Sequence, residues 1–388
     1  MKIGIFTNNY KPLISGITTS ISLSMAELRR RGHDVYIFAP DYPDYIDDDS
    51  CIFRYPSIST YLHPNFRIPI SFSPQVDRKI KKIGIEIVHS QHPFALGPHG
   101  YHLGRRSGIP IVFTYNSIYE NFSHNVPLPK PIVDWYSINQ SINFSNKCDL
   151  VITPTQAVAD LIKMRGVKKP IRIIPSGMDF SYIKAADPER VLREFPKLRG
   201  GKIMLYVGRT SAEKGVDFLI RVFSKVVKMK DDVYFIILGS PETAEIPRLV
   251  IELGLTDRTI MVDDVPYEEV FDYYLAADIF VFASYGETQG LVLSESLGAG
   301  LPVVAVKAIG VNEMIDDNVT GILIDRDEHL MAERIIRLLN SPAELERLSI
   351  NASIEAKKYS IYDLTVKLEK IYEELLKKYA KDYSLPVA

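Results

Sequence analysis

"KIMLYVGRTSAEKGVDFLIRVFSKVVKMKDDVYFIILG", Lys202 to Gly239, contains a complete supersecondary unit. An apolar run to Gly208 reads as a buried strand, and a polar loop then reaches Gly215. Apolar residues recur at helical spacing from Val216 to about Met229, and a second apolar run, "VYFIILG", follows. This is a β-loop-α-β unit. The start of the chain repeats the pattern without repeating the residues: "KIGIFTN" from Lys2, a glycine-containing loop, a helical stretch from Thr18 to Arg31 stopped by Gly32, then "DVYIFAP". Further runs, "IEIVHS", "IPIVFTY", "DLVITPT", "IRIIPSG", "TIMVDDV", "DIFVFAS" and "LPVVAV", alternate with helical stretches. The alternation predicts two parallel, doubly wound α/β domains, whose ligands bind at the carboxyl ends of strands. The loops after Asn8, Ser90, Gly208 and Ser284 are therefore the candidate binding loops.

The join falls in "IPSGMDFSYIKAADP", where Pro175, Gly177 and Pro188 interrupt the periodicity. Residues 1–177 are expected to form the first domain, 178–358 the second, and 359–388 a helix and tail. In "IYDLTVKLEKIYEELLKKYA", Leu364, Leu368, Ile371 and Leu375 share one stripe, which needs a core to cover. The 388 residues carry a net charge of −2, so no global basic field favours nucleic acid. Cys51 and Cys148 lie far apart and outside any metal-ligand spacing, and both read as reduced core thiols. The first apolar run is broken at Thr7, too early for a signal peptide. No later run approaches the roughly 18–20 residues of a membrane span. A cytoplasmic protein, able to lie peripherally on the membrane face, is the expectation.

In "YGETQGLVLSESLGAGLPVV", Tyr285 to Val304, Glu287 follows a strand exit and Glu295 lies about a turn into the helix that opens after Gly290. Backbone N–H groups at a helix start bind phosphate, and carboxylates accept from sugar hydroxyls. Two solvated glutamates would share this spacing. A second feature favours the binding reading: in "VGRTSAEKGVD", Arg209 and Lys214 occupy a strand-to-helix loop and supply the forked and point charges that a diphosphate needs. Glu213 between them is an orienting partner or a solvated residue.

"GRTSAEKG" and "ETQGLVLSESLGAGLPVV" resemble the signature segments of the retaining GT-B glycosyltransferases of family 4, a resemblance that runs from Met1 to about Tyr379. It implies two Rossmann-like domains facing across a cleft, a donor held mainly by the second, and a last helix crossing back to the first. It places Arg209 and Lys214 on the diphosphate, Glu287 on the donor sugar and Glu295 on the ribose. It also puts the backbone of Thr288, Gln289, Gly290 and Leu291 on phosphate and sugar, Val265 beside the base, and Gly16 near the donor phosphate, with Ser15 in place of a first glycine. In "VHSQHPFALG", Gln91 stands where the family shows a histidine, so Gln91 and His92 are joint candidates beside the reacting sugar. "FTYNSIYENFSHNVP" resembles a segment of bacterial diacylglycerol glucosyltransferases through Tyr115, Tyr119, Glu120 and His124, with Asn116 replacing a histidine.

The resemblance thus implies hexosyl transfer, glucose from UDP-glucose, to a lipid such as 1,2-diacylglycerol, with the nucleotide-sugar as co-substrate and no cofactor. A GDP-mannose-dependent enzyme, a soluble-acceptor enzyme and a UDP-sugar epimerase are the alternatives. Asp47 to Asp49 and Asp263–Asp264 are the acidic clusters that would hold a cation. The first reads as a solvated loop, and no metal is expected. Phe66, Ile68, Ile70 and Phe72 precede Arg78, Lys79, Lys81 and Lys82, an apolar and basic pairing suited to an anionic membrane surface or, equally, to a buried strand and a solvated helix face.

Overall fold

The computed structural model describes residues 1–59, 67–125, 128–239 and 244–383, with side chains at all of these except 122, 124, 125, 382 and 383. The chain divides into two compact units, one of Met1–Gly177 with the chain from Ile361 onward, the other of Met178–Ser360.

Unit 1 is built on β1 (Lys2–Phe6), β2 (Asp34–Pro40), β3 (Ile52–Tyr55), β4 (Ser57–Ser59), β5 (Arg67–Pro69), β6 (Ile87–Ser90), β7 (Ile111–Thr114), β8 (Leu150–Thr153) and β9 (Ile171–Ile173). Seven of these form a parallel sheet in the order β3-β2-β1-β6-β7-β8-β9, while β4 and β5 pair as a short antiparallel ribbon. The central strands are short and buried along their whole length because helices cover both faces. Phe6, Phe38, Val88, Phe113 and Val151 pack on one face against α2 (Pro74–Ile83), α3 (Leu96–Ser107), α4 (Lys130–Lys147) and α5 (Gln156–Met164). On the other face Ile3, Ile5, Ile37 and Ile152 meet α1 (Gly16–Arg30) and the C-terminal helix Ile361–Tyr383. That last helix buries Leu364, Leu368, Ile371, Tyr372 and Leu375, so its apolar stripe belongs to unit 1. Tyr372 OH meets His89 Nδ1 at 2.7 Å, and Glu369 accepts from Arg31 and pairs with His33 Nε2 at 2.8 Å.

Unit 2 carries β10 (Lys202–Val207), β11 (Val233–Leu238), β12 (Thr259–Val262), β13 (Ile279–Phe282), β14 (Val303–Val306) and β15 (Gly321–Ile324), parallel in the order β12-β11-β10-β13-β14-β15. In each sheet the strand order reverses beside the first strand, between β1 and β6 and between β10 and β13. Open parallel sheets bind their ligands at such reversals. Among the described residues no helix is long and apolar enough to cross a membrane.

Candidate active site

Unit 2 brings the donor-site candidates together at its strand-order reversal. β10 and β13 are neighbours, so the Gly208–Gly215 loop and the Ala283–Gly290 loop run side by side. They are tied by the main chain of Glu213, whose carbonyl accepts from Ser284 Oγ and from the Tyr285 N–H, both at 3.1 Å. The Glu213 carboxylate is buried and accepts from Ser211 Oγ at 2.6 Å and from Arg209 Nη2 at 3.1 Å. Of the two readings left open for Glu213, the orienting partner is the one its burial and contacts fit. Lys214, on the tight turn Ala212–Lys214, donates through Nζ to Glu287 Oε1. Burial pushes the Glu287 carboxyl up, but the Lys214 charge and hydrogen bond, with help from Ser284 and Arg209, hold it below the usual glutamate range.

Glu295 has a different environment four residues into the helix Leu291–Gly298. It is buried, and it accepts from Tyr267 OH at 2.8 Å and Tyr274 OH at 2.9 Å. Burial raises its pKa, and the two hydroxyls only partly offset that. Tyr267 also connects Glu295 to the loop after β12, where Val265 packs half-buried on the core. Thr288, Gln289 and Gly290 form the entry to the helix, with Gly290 at φ +80. This loop rests on Gly310, where a Cβ would stand 2.6 Å from the Thr288 carbonyl carbon. Sequence reasoning missed Tyr267, Tyr274 and Gly310. The only signal was the i, i+7 tyrosine spacing and a glycine after the strand "LPVVAV".

In unit 1, Gly16 opens α1, capped by Ser15 Oγ accepting from the Thr18 N–H at 3.2 Å. A Cβ at Gly16 would meet nothing within 4 Å, so no protein group requires a glycine there. Gln91 and His92 follow β6. His92 Nδ1 accepts from the Asn8 N–H at 3.1 Å, which leaves the ring proton on Nε2, and burial pulls its pKa down to about 4. Gln91 Oε1 accepts from Asn116 Nδ2 at 2.8 Å. Gln91 and Asn116 thus form a bonded pair of amides at adjacent strand ends. Tyr115 is fully buried, with its OH 3.3 Å from Ser141 Oγ, and Tyr119 lies against it at 5.4 Å between ring centres. Glu120 pairs with Arg165 at 2.5 Å. These three are held within unit 1 by burial, ring contact and an ion pair, while the side chain of His124 lies outside the described ones.

Two expectations need correction. The Asp47–Asp49 loop is not simply solvated: Asp47 pairs with Arg54 at 2.6 Å and Asp49 with Arg29 at 2.5 Å, because two arginines of the strand and helix layers reach out to it. Cys51 is only half-buried, unlike Cys148. Phe66 lies outside the described residues. Ile68, Ile70 and Phe72 are exposed, which removes the buried-strand reading of that stretch.

Two Rossmann-like units, the second with paired charges on adjoining loops at the carboxyl ends of its strands, make the frame expected of a GT-B glycosyltransferase. Comparison with known proteins gives the family. Glycosyltransferase Family 4 matches residues 14–182 and Glycosyl transferases group 1 matches residues 189–354. The chain is 31% identical over 91% of its length to the alpha-monoglucosyldiacylglycerol synthase of Streptococcus pneumoniae, covering 82% of that protein. It is 28% identical to the synthase of the same name from Acholeplasma laidlawii, over 97% of this chain and 98% of that one. A GDP-mannose-dependent alpha-mannosyltransferase of Corynebacterium glutamicum is 24% identical over 84% of this chain and 77% of its own. Among solved structures, the sucrose-phosphate synthase of Thermosynechococcus elongatus superposes with a TM-score of 0.80 at 22% identity, over 97% and 99% of the two chains. Anabaena HepE in complex with UDP-glucose gives 0.77 at 16% identity, over 96% and 100%. The chain belongs to the family-4 glycosyltransferases, and it is an enzyme that transfers a sugar.

Proposed function

We propose that the protein is a retaining glucosyltransferase that moves glucose from UDP-glucose to a diacylglycerol-like lipid. The observation that carries the donor half is the Arg209, Lys214 and Glu287 cluster beside the helix start at Gly290. In this reading the donor diphosphate takes Lys214 from Glu287, and the freed carboxylate accepts from sugar hydroxyls. Arg209, Lys214 and the helix start stabilise the charge that develops as the anomeric C–O bond to the diphosphate breaks. The acceptor hydroxyl attacks from the same face and passes its proton to the departing phosphate. Glu295 and Tyr267 take the ribose and Val265 the base. Gly16 admits a phosphate, and Gln91 or His92 stands beside the hexose. No metal is required, because the cations and helix N–H groups supply the positive charge.

The lipid acceptor is supported by the two synthases named above and by the segment from Tyr115 to Glu120. The exposed basic residues of α2, Arg78, Lys79, Lys81 and Lys82, suit docking at an anionic membrane surface from the cytoplasmic side. The mannosyltransferase relative keeps GDP-mannose as the second donor reading. Incubation with a panel of labelled nucleotide-sugars and total bacterial lipids tests all of these. Label from UDP-glucose in a diacylglycerol product is expected. Label only in a soluble sugar overturns the lipid acceptor, label from GDP-mannose overturns the donor, and an isomerised donor without acceptor marks an epimerase.

A further inference from the structure

The first half of α4 is amphipathic in the reverse sense. Val133, Ser137 and Ser141 face inward and are buried. The serine row can be buried because Ser141 Oγ donates to the Ile138 carbonyl at 2.9 Å and Ser145 Oγ to the Ser141 carbonyl at 2.7 Å. The large apolar side chains lie on the outside: Leu128, just before the helix, is 61% exposed, Ile132 57%, Trp135 66% and Tyr136 54%. Ile132, Trp135 and Tyr136, spaced i, i+3 and i+4, share one face of the helix, and Leu128 precedes its first turn. Exposed apolar residues scattered singly need no explanation, but a contiguous row of this size does.

Charge selects what covers it. The helices on this face of the sheet, α2 to α5, contain nine lysines and arginines against three aspartates. The helices of the opposite face, α1 and Ile361–Tyr383, contain seven against six. In a chain of net charge −2, the excess positive charge of unit 1 is thus concentrated on the helix layer that exposes the apolar row. A second copy would set two cationic faces against each other, whereas an anionic bilayer complements the face. Trp and Tyr, apolar in body and polar at the tip, suit the boundary between headgroups and acyl chains.

We infer that Leu128, Ile132, Trp135 and Tyr136 form a wedge that enters the interface of an anionic bilayer, so that α4 inserts where α2 only attracts. The inference leans on the lipid-acceptor reading for the choice of a bilayer, and its test is independent of turnover. Trp135 is the only tryptophan of the chain, so intrinsic fluorescence of the full-length protein reports this position alone. Vesicles of phosphatidylglycerol and phosphatidylcholine should shift its emission to shorter wavelength, and brominated acyl chains should quench it. Vesicles of phosphatidylcholine alone should do neither. Leu128→Ser combined with Ile132→Ser should weaken vesicle binding by roughly tenfold or more while leaving the melting temperature unchanged, since both side chains are exposed. Co-sedimentation with anionic vesicles without an emission change would overturn the wedge and leave docking by charge alone. A shift that grows with protein concentration in the absence of lipid would assign the row to a second copy instead. A protein that inserts but glycosylates no diacylglycerol keeps the wedge and loses the acceptor reading.

Discussion

Lys214 and Glu287 neutralise one another, so in the proposed reading a donor diphosphate competes with the carboxylate for the lysine. If the diphosphate assignment holds, Lys214→Ala and Arg209→Ala should each lower kcat/KM more than tenfold, since a charge-assisted contact contributes about 1.5–3 kcal/mol. Steady-state kinetics within threefold of the parent would remove that assignment. The two glutamates should also separate: Glu287→Gln should mainly lower kcat and Glu295→Gln mainly weaken binding of the free nucleoside diphosphate, measured by titration calorimetry. Their effects on stability have opposite signs. Glu287 has a depressed pKa, so its pairing stabilises the fold above the usual glutamate range and the benefit is lost as pH falls through the lowered value. Its replacement by Gln should cost roughly 2 kcal/mol at neutral pH, less than for a fully buried pair because Lys214 keeps some exposure. Glu295 has a raised pKa, so its contribution is present below the usual range and is lost as pH rises through the raised value. Melting of Glu295→Gln relative to the parent should therefore improve from about pH 4 to about pH 8, and a constant difference would show that Glu295 does not titrate in the fold.

At the scale of the element, two glycines make opposite predictions. Gly310→Ala puts a Cβ against the Thr288 main chain, so the loop must move and nucleotide affinity should fall by roughly tenfold. Gly16→Ala meets no protein atom and should leave the melting temperature unchanged, while weakening donor binding if a phosphate approaches there. The parallel strands were legible because each is a short apolar run. β3 escaped notice because Arg54 interrupts it, and β15 was passed over although its run is as short and apolar as that of β14. The carboxylate and cation candidates were legible as motifs. The tyrosines that hold Glu295 were not, because they lie 28 and 21 residues away in the chain and only the sheet brings them to it. The exposed row of α4 was equally hidden: apolar spacing marks a face, and residues elsewhere decide whether that face is covered.

For the whole molecule, the C-terminal helix is the least dispensable surface element. It buries five large side chains in unit 1, each contributing about 1.5–3 kcal/mol, which together rival the 5–15 kcal/mol stability of a typical domain. Truncation after Ser360 should leave unit 1 unable to fold, so that limited proteolysis yields a resistant fragment starting near Met178. A truncated chain that melts like the parent would contradict this. Activity of the intact enzyme should survive EDTA. Loss of activity restored by Mg²⁺ or Mn²⁺ would show that a cation shares the phosphate with Lys214 and Arg209.

Met178 donates its N–H to the Tyr359 carbonyl at 2.8 Å and bridges to Ser360, so unit 2 begins and ends at one point. During synthesis on the ribosome, unit 2 can close as soon as Ser360 emerges, while unit 1, translated first, waits for the last helix of the chain. The half made earliest is completed latest, and a chain that stalls after Ser360 would present a finished second unit attached to an open sheet.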